Sequence, residues 1–206
     1  MHEKQVGKEH YDFSRYCYPA RWASYYHQIQ EIVATRPQSV LEIGAGDEVV
    51  KNYMQKLGVS YTTLDIADDL KPDIKGSITA MPVPPKSFDT VCAFEVLEHI
   101  PFEEVNAALK ELARVAKNAV LVSVPHFGPP IHFQIKIPFL PQFTFFQKIP
   151  FPKTHVFNGQ HYWELGKKGY PSSRLRTLMQ SYFSIEKEFV PPGNAYHHFF
   201  ILRPRQ

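Results

Sequence analysis

Short apolar runs alternate with stretches of helical spacing along most of this chain. Residues 39–43 (S-V-L-E-I), 59–65 (V-S-Y-T-T-L-D), 87–94 (S-F-D-T-V-C-A-F) and 118–124 (N-A-V-L-V-S-V) are the main runs. Their β-branched and aromatic content predicts strands. A shorter strand is expected over 73–78, followed by a stiff extended link, M-P-V-P-P, over 81–85. Helical spacing predicts helices over 21–35, 48–57, 101–117 and 172–182. Pro37 stops the first. Pro101 opens the third, with Glu103 and Glu104 suited to its first turn. Two last strands, 183–190 and 196–202, are joined by Pro191-Pro192-Gly193-Asn194 and read as an antiparallel hairpin. Strands alternating with helices predict an α/β fold around a parallel sheet.

Two stretches stand outside this rhythm. The first, an arm and helix over 1–37, carries Tyr11, Phe13, Tyr16 and Tyr18 ahead of the helix. It either packs on the sheet edge or closes over a ligand. The second, 126–170, has prolines at 129, 130, 138, 141, 150 and 152 and eight phenylalanines between 127 and 157. No regular period survives there. A long irregular segment in a compact domain is usually functional, so a substrate lid is expected. A folded cover for the sheet edge, or a dimer contact, is the alternative.

Composition narrows the setting. The 206 residues suit one domain, 1–206, and the net charge of +3 does not by itself indicate nucleic acid. No apolar run approaches a membrane span and the first ten residues are polar, so neither a signal peptide nor a membrane partner is expected. Only two cysteines are present, and Cys92 falls in a predicted buried strand. A reducing cytoplasm without disulfides follows. The adjacent His197 and His198 fall on opposite faces of a strand and read as structural or surface residues, not as a ligand pair.

The chemistry begins where the first strand ends in Gly44-Ala45-Gly46. Glycines there let a ligand approach the backbone at the carboxyl end of a strand. A dinucleotide turn wants a third glycine where this chain has Val49, and carboxylates at 42, 47 and 48 would repel a pyrophosphate. They suit a cation. Glu42, near the end of a buried strand, needs a partner. Asp65 follows the turn by about 20 residues, where a carboxylate receives ribose hydroxyls.

These residues resemble the first motifs of class I S-adenosylmethionine (SAM) dependent methyltransferases, and F-D-T-V over 88–91 is similar to the opening of that family's fourth strand. The resemblance implies a three-layer Rossmann-like fold, with a mostly parallel seven-stranded sheet and an antiparallel last strand. It implies SAM as cofactor. Glu42 would hold the methionine end, with Gly44, Ala45 and Gly46 in close approach. Asp65 would bind the ribose, while Ile66, Ser77 and Ile78 flank the adenine. Phe94 and Glu95 would lie beside the methionine end, and Tyr18 would cover the ligand. Ser77 stands near where the family usually has an adenine-binding aspartate.

Glu95, Glu98 and His99 form E-x-x-E-H at the end of the fourth strand. This resembles a run in quinone-biosynthesis O-methyltransferases and small-RNA 2′-O-methyltransferases, where such residues hold a divalent metal. In the RNA enzymes a later histidine completes the site. His161 in H-Y-W-E is the match here, with His126 and His155 behind it. Mg²⁺, Mn²⁺ or Zn²⁺ would suit such ligands. Equally, acids before a helix start are stabilising with no metal. Without a metal, His126 or His161 could serve as general base. The function expected is methyl transfer from SAM to an oxygen or nitrogen of a small molecule, by a monomer or homodimer. The alternatives are an RNA-directed methyltransferase and a non-catalytic SAM-binding regulatory protein.

Overall fold

The structure, a computed structural model, describes residues 7–44 and 46–205. Ala45, expected at the cofactor, lies outside the described residues. A seven-stranded sheet forms the middle layer. Its strands are β1 (Ser39–Ile43), β2 (Ser60–Asp65), β3 (Ile74–Lys75), β4 (Phe88–Phe94), β5 (Ala116–Pro125), β8 (Phe183–Phe189) and β9 (His197–Pro204), and they stand in the order β3-β2-β1-β4-β5-β9-β8. The first five are parallel, while β9 runs antiparallel to both β5 and β8. This is the expected three-layer sheet with its reversed last strand.

Helices cover both faces. On one side α4 (Val105–Val115) buries Val105, Ala108, Leu109, Leu112 and Val115. That is the three- and four-residue spacing of a stripe facing a sheet. With α5 (Ser172–Gln180) it closes a core that includes Leu41, Ile43, Val91, Val120 and Phe200. On the other side, α2 (Pro19–Ala34) and α3 (Val49–Lys56) cover Val40, Cys92, Phe94, Leu121 and Phe199. The one-turn helix α1 (Phe13–Tyr16) precedes α2, and Asp12 caps it by accepting the Ser14 N–H. Among the described residues no helix is long and apolar enough to cross a membrane.

The structure departs from the sequence reading in four places. Trp22, Tyr26 and Val33 of α2 are exposed, and the helix buries Ser24, Gln28 and Glu31 beside Tyr25 and Ile32. Two of these polar residues have partners at the closing strands: Ser24 with Asn194 in the turn before β9 and His197 on it, Glu31 with Lys187 of β8. The third strand shrinks to two residues. The helix after Pro101 begins as a 3-10 turn, Phe102–Glu104, and becomes α-helical only at Val105. Finally, the segment 126–170 holds a hairpin of β6 (Pro130–Ile135) and β7 (Phe143–Lys148). Its alternation is hard to read because Pro130 and Phe146 break the polar face.

Candidate active site

The order of the sheet makes a crevice. From β1 the chain crosses to β2 on one side; from β4 it crosses to β5 on the other. Ligands of open α/β sheets bind at such a reversal, outside the carboxyl ends of the strands. The glycine turn and the E-x-x-E-H run both lie there, on the neighbouring strands β1 and β4.

Gly44 has φ +72°, and its N–H donates to Leu64 O at 2.9 Å, tying the turn to β2. A Cβ on Gly44 would come within 2.7 Å of Val96 Cγ2, and one on Gly46 within 2.9 Å of the Tyr11 ring. The backbone is therefore approached from both sides. Glu42 is buried and accepts the Tyr61 hydroxyl at 3.1 Å. Burial, with the charges of Asp47 and Glu48 adding to it, pushes its pKa up to about 8. Asp47 accepts the Tyr25 hydroxyl at 2.6 Å.

On β2, Asp65 accepts the Ala67 N–H at 2.8 Å, and partial burial raises its pKa. Ile66 beside it is half-buried. A cleft of about 760 Å³ lies over the turn, bounded by Tyr11, Gly46, Asp47, Glu48 and Asp69. The Ser77 hydroxyl is engaged with Thr79 and the Ile78 side chain belongs to the core. Phe94 likewise packs inward against Phe199, 6.1 Å between ring centroids.

The arm reaches the turn through residues that sequence reasoning did not assign to the site. Tyr11 and Tyr16 meet edge to face at 4.9 Å, and Arg21 sits 4.2 Å over the Tyr16 ring and 5.7 Å from that of Tyr18. Tyr18 itself is well exposed at the start of α2. Tyr11 precedes the arm's one-turn helix, Arg21 and Tyr25 lie on α2, and Tyr61 lies on β2. Only the expectation that buried acids need donors pointed toward them.

A second cluster stands at the end of β4. Glu95 has φ +55°, accepts the Ser123 hydroxyl at 2.8 Å and lies 3.6 Å from His197 Nε2. Burial pushes its pKa up to about 8. A 3-10 turn, Leu97–His99, then brings Glu98 inside. Glu98 is fully buried, and among the described residues neither carboxylate oxygen accepts a hydrogen bond from another residue. Burial and the Glu95 charge push its pKa well up. Such a carboxylate is costly unless it takes up a proton or a cation completes it.

His99 and His161 supply nitrogens to the same place: one ligand atom each from Glu98, His99 and His161 lie within 4.8 Å of one another. His99 Nδ1 donates to Gln160 O at 3.2 Å, and His161 Nδ1 faces Glu164 Oε1 at 3.2 Å. Those bonds favour the tautomers whose Nε2 carries the lone pair. Burial and His161 push the His99 pKa down to about 4, so it is a neutral imidazole at neutral pH. Tyr196 also bonds Glu164.

The strap that delivers His161 is firmly held. Tyr162 N–H donates to Glu98 O, Trp163 Nε1 to Ile100 O and Leu165 N–H to Pro125 O. The expected ligands therefore divide. Glu98, His99 and His161 come together, while Glu95 is engaged by Ser123. His126 instead stacks on His198 with their Nδ1 atoms 2.9 Å apart, and His155 Nε2 donates to His161 O. His197 and His198 are buried and structural, with no surface role.

Residues 41–123 match the profile of a methyltransferase domain. No curated protein matches the chain in sequence. Among solved structures the chain resembles the CcbJ methyltransferase of Streptomyces caelestis, at 10% identity and a TM-score of 0.65 over 99% of this chain and 100% of that one. It also resembles magnesium protoporphyrin IX methyltransferase from Synechocystis, solved with bound S-adenosylhomocysteine (SAH), at 16% identity and 0.61 over 90% and 84%. A third is the 1,6-didemethyltoxoflavin-N1-methyltransferase of Burkholderia thailandensis, at 15% and 0.59 over 91% and 79%. The chain shares their fold, and residues 41–123 within it match a methyltransferase domain.

Proposed function

We propose that the enzyme methylates an oxygen or nitrogen of a small molecule held beside Glu98, His99 and His161, and that these three residues bind a divalent metal. The observation that carries the metal is the Glu98 carboxylate, fully buried with no hydrogen bond from another described residue, set among imidazoles. Two imidazole nitrogens and a carboxylate suit Zn²⁺ or Mn²⁺. Glu164 on His161 Nδ1 is the kind of outer partner that orients a ligating imidazole. When bound, the metal lowers the pKa of an acceptor hydroxyl and orients it. The small-molecule reading has support in the toxoflavin and porphyrin acceptors named for two structural relatives.

The chain's own residues hold the donor. Glu42, Asp47 and Glu48 make the glycine turn acidic, which suits the ammonium and sulfonium of SAM. Asp65 receives the ribose hydroxyls. Gly44 and Gly46 pass the ligand close to the backbone, and the backbone at Ile66, Ser77 and Ile78 borders the adenine. Phe94 and Glu95 bound the methionine end, and Tyr18 covers it with the arm. The strap 160–166 walls the acceptor side and excludes water, so that catalysis rests on in-line placement of donor and acceptor.

The test is transfer from labelled SAM into a metabolite extract, with and without chelator, beside calorimetry with SAH. Labelled small molecules, loss of transfer in chelator and unchanged SAH binding are expected. Full transfer in excess chelator would end the metal assignment, and label only in RNA would replace the acceptor class.

A further inference from the structure

The hairpin of β6 and β7 is amphipathic, and its apolar side is exposed among the described residues. Its register pairs Phe133 with Phe145 and Ile135 with Phe143, and residues directly opposite share one face of the ribbon. Phe133 stacks on Phe145 at 5.0 Å and 20°. Every residue of β6 is exposed. Beyond the strands the tip turns Ile137, Phe139 and Leu140 outward, Phe139 with relative exposure of 105%. Contiguous apolar surface of this kind marks an interaction site.

The charge around the tip selects the occupant. No Asp or Glu occurs from residue 112 to residue 163, while Lys136, Lys148 and Lys153 fall within that stretch. Lys136 is part of the tip, its Nζ donating to Leu140 O at 2.8 Å. Lys148 has a different task at the root. Its Nζ donates to the carbonyls of His126, Gly128 and Ala195 at 2.7, 2.6 and 3.0 Å, fastening the hairpin to the body so that the tip projects. A second copy docking through the same face would bring like cations together with no carboxylate to answer them. An anionic bilayer answers both features. Apolar side chains enter the interface while lysines meet the headgroups.

We propose that the β6–β7 hairpin docks this enzyme peripherally on an anionic lipid surface, with Ile137, Phe139 and Leu140 inserted and Lys136 and Lys153 against the headgroups. A pocket of about 500 Å³ at the hairpin root, walled by Phe127, Pro129, Pro130 and Phe151, then lies on the lipid side of the molecule. The docking is independent of the metal and acceptor assignments.

The experiment is flotation of the full chain with phosphatidylcholine vesicles, with and without phosphatidylserine. Wild type is expected to float with the anionic vesicles only, and less at high salt. Phe139→Asp with Leu140→Asp should weaken partition on the order of tenfold or more. Lys136→Gln should weaken it roughly fivefold. SAH binding should be unchanged in both variants, which shows that they fold. Absence of wild-type flotation, or equal flotation of the folded double variant, overturns the proposal. So does a wild-type dimer that the double variant dissociates without any vesicle binding; that result gives the face to a second copy.

Discussion

At the β1 side of the crevice buried Glu42 and half-buried Asp47 each have a hydroxyl: Glu42 receives Tyr61 and Asp47 receives Tyr25. At the β4 side Glu98 receives nothing from another described residue, yet it stands among two imidazoles. Both sites are acidic, and the proposed function gives them different cations. The first has donors already and needs only a diffuse positive charge over its edge, as SAM provides. The second gathers one ligand atom each from Glu98, His99 and His161 within 4.8 Å of one another, which the proposed metal would complete. Substitutions on the two sides should therefore separate cleanly in their effects.

The largest effect is expected on the β4 side. Glu98→Ala or His161→Ala should lower methyl transfer by roughly 100-fold or more while SAH affinity stays within a few-fold. Parallel loss of SAH binding would dissolve the distinction between the sites. Next, Asp65→Ala should weaken SAH binding about 10- to 100-fold, the value of hydrogen bonds to a charged group. Its kcat, measured at saturating SAM, should change little. Glu164→Gln keeps the shape but weakens the orienting partner of His161. It should raise the metal concentration needed for half-maximal activity about 10- to 100-fold.

The smallest effect is on stability. Glu42 and Glu95 have folded pKa values of about 8, above the ordinary 4.5. Between those limits the folded protein holds protons that the unfolded chain has released. Stability of the ligand-free protein should therefore fall as pH rises through about 4.5 to 8. Glu42→Gln should flatten part of that fall in denaturant midpoints measured across the window. An unchanged slope would mean that Tyr61 and nearby cations already hold Glu42 ionised.

The sequence showed the first site better than the second. The glycine turn, Glu42 and Asp65 are local in the chain, and their chemistry follows from strand ends and spacing. The donors Tyr25 and Tyr61 are set by packing between elements, which periodicity does not reveal. The E-x-x-E-H run was visible, but whether Glu98 caps a helix or turns inward depended on the backbone after Glu95. A positive φ there and a 3-10 turn place it inside. His161 lies more than sixty residues away, and only the strap's bonds to Glu98 O and Ile100 O bring it back. The segment 126–170 read as one irregular lid. It is a buried strap at one end and an exposed hairpin at the other, because Trp163 and Leu165 find the core while Phe133, Phe143 and Phe145 stay exposed beside one another.

The most direct measurement is calorimetric titration of Mn²⁺ or Zn²⁺ into chelator-stripped protein, with and without SAH. One ion per chain is expected in both cases, absent in Glu98→Ala and His161→Ala, with SAH binding retained by both variants. Stripped wild type that takes up no ion under either condition, yet binds SAH, would contradict the account.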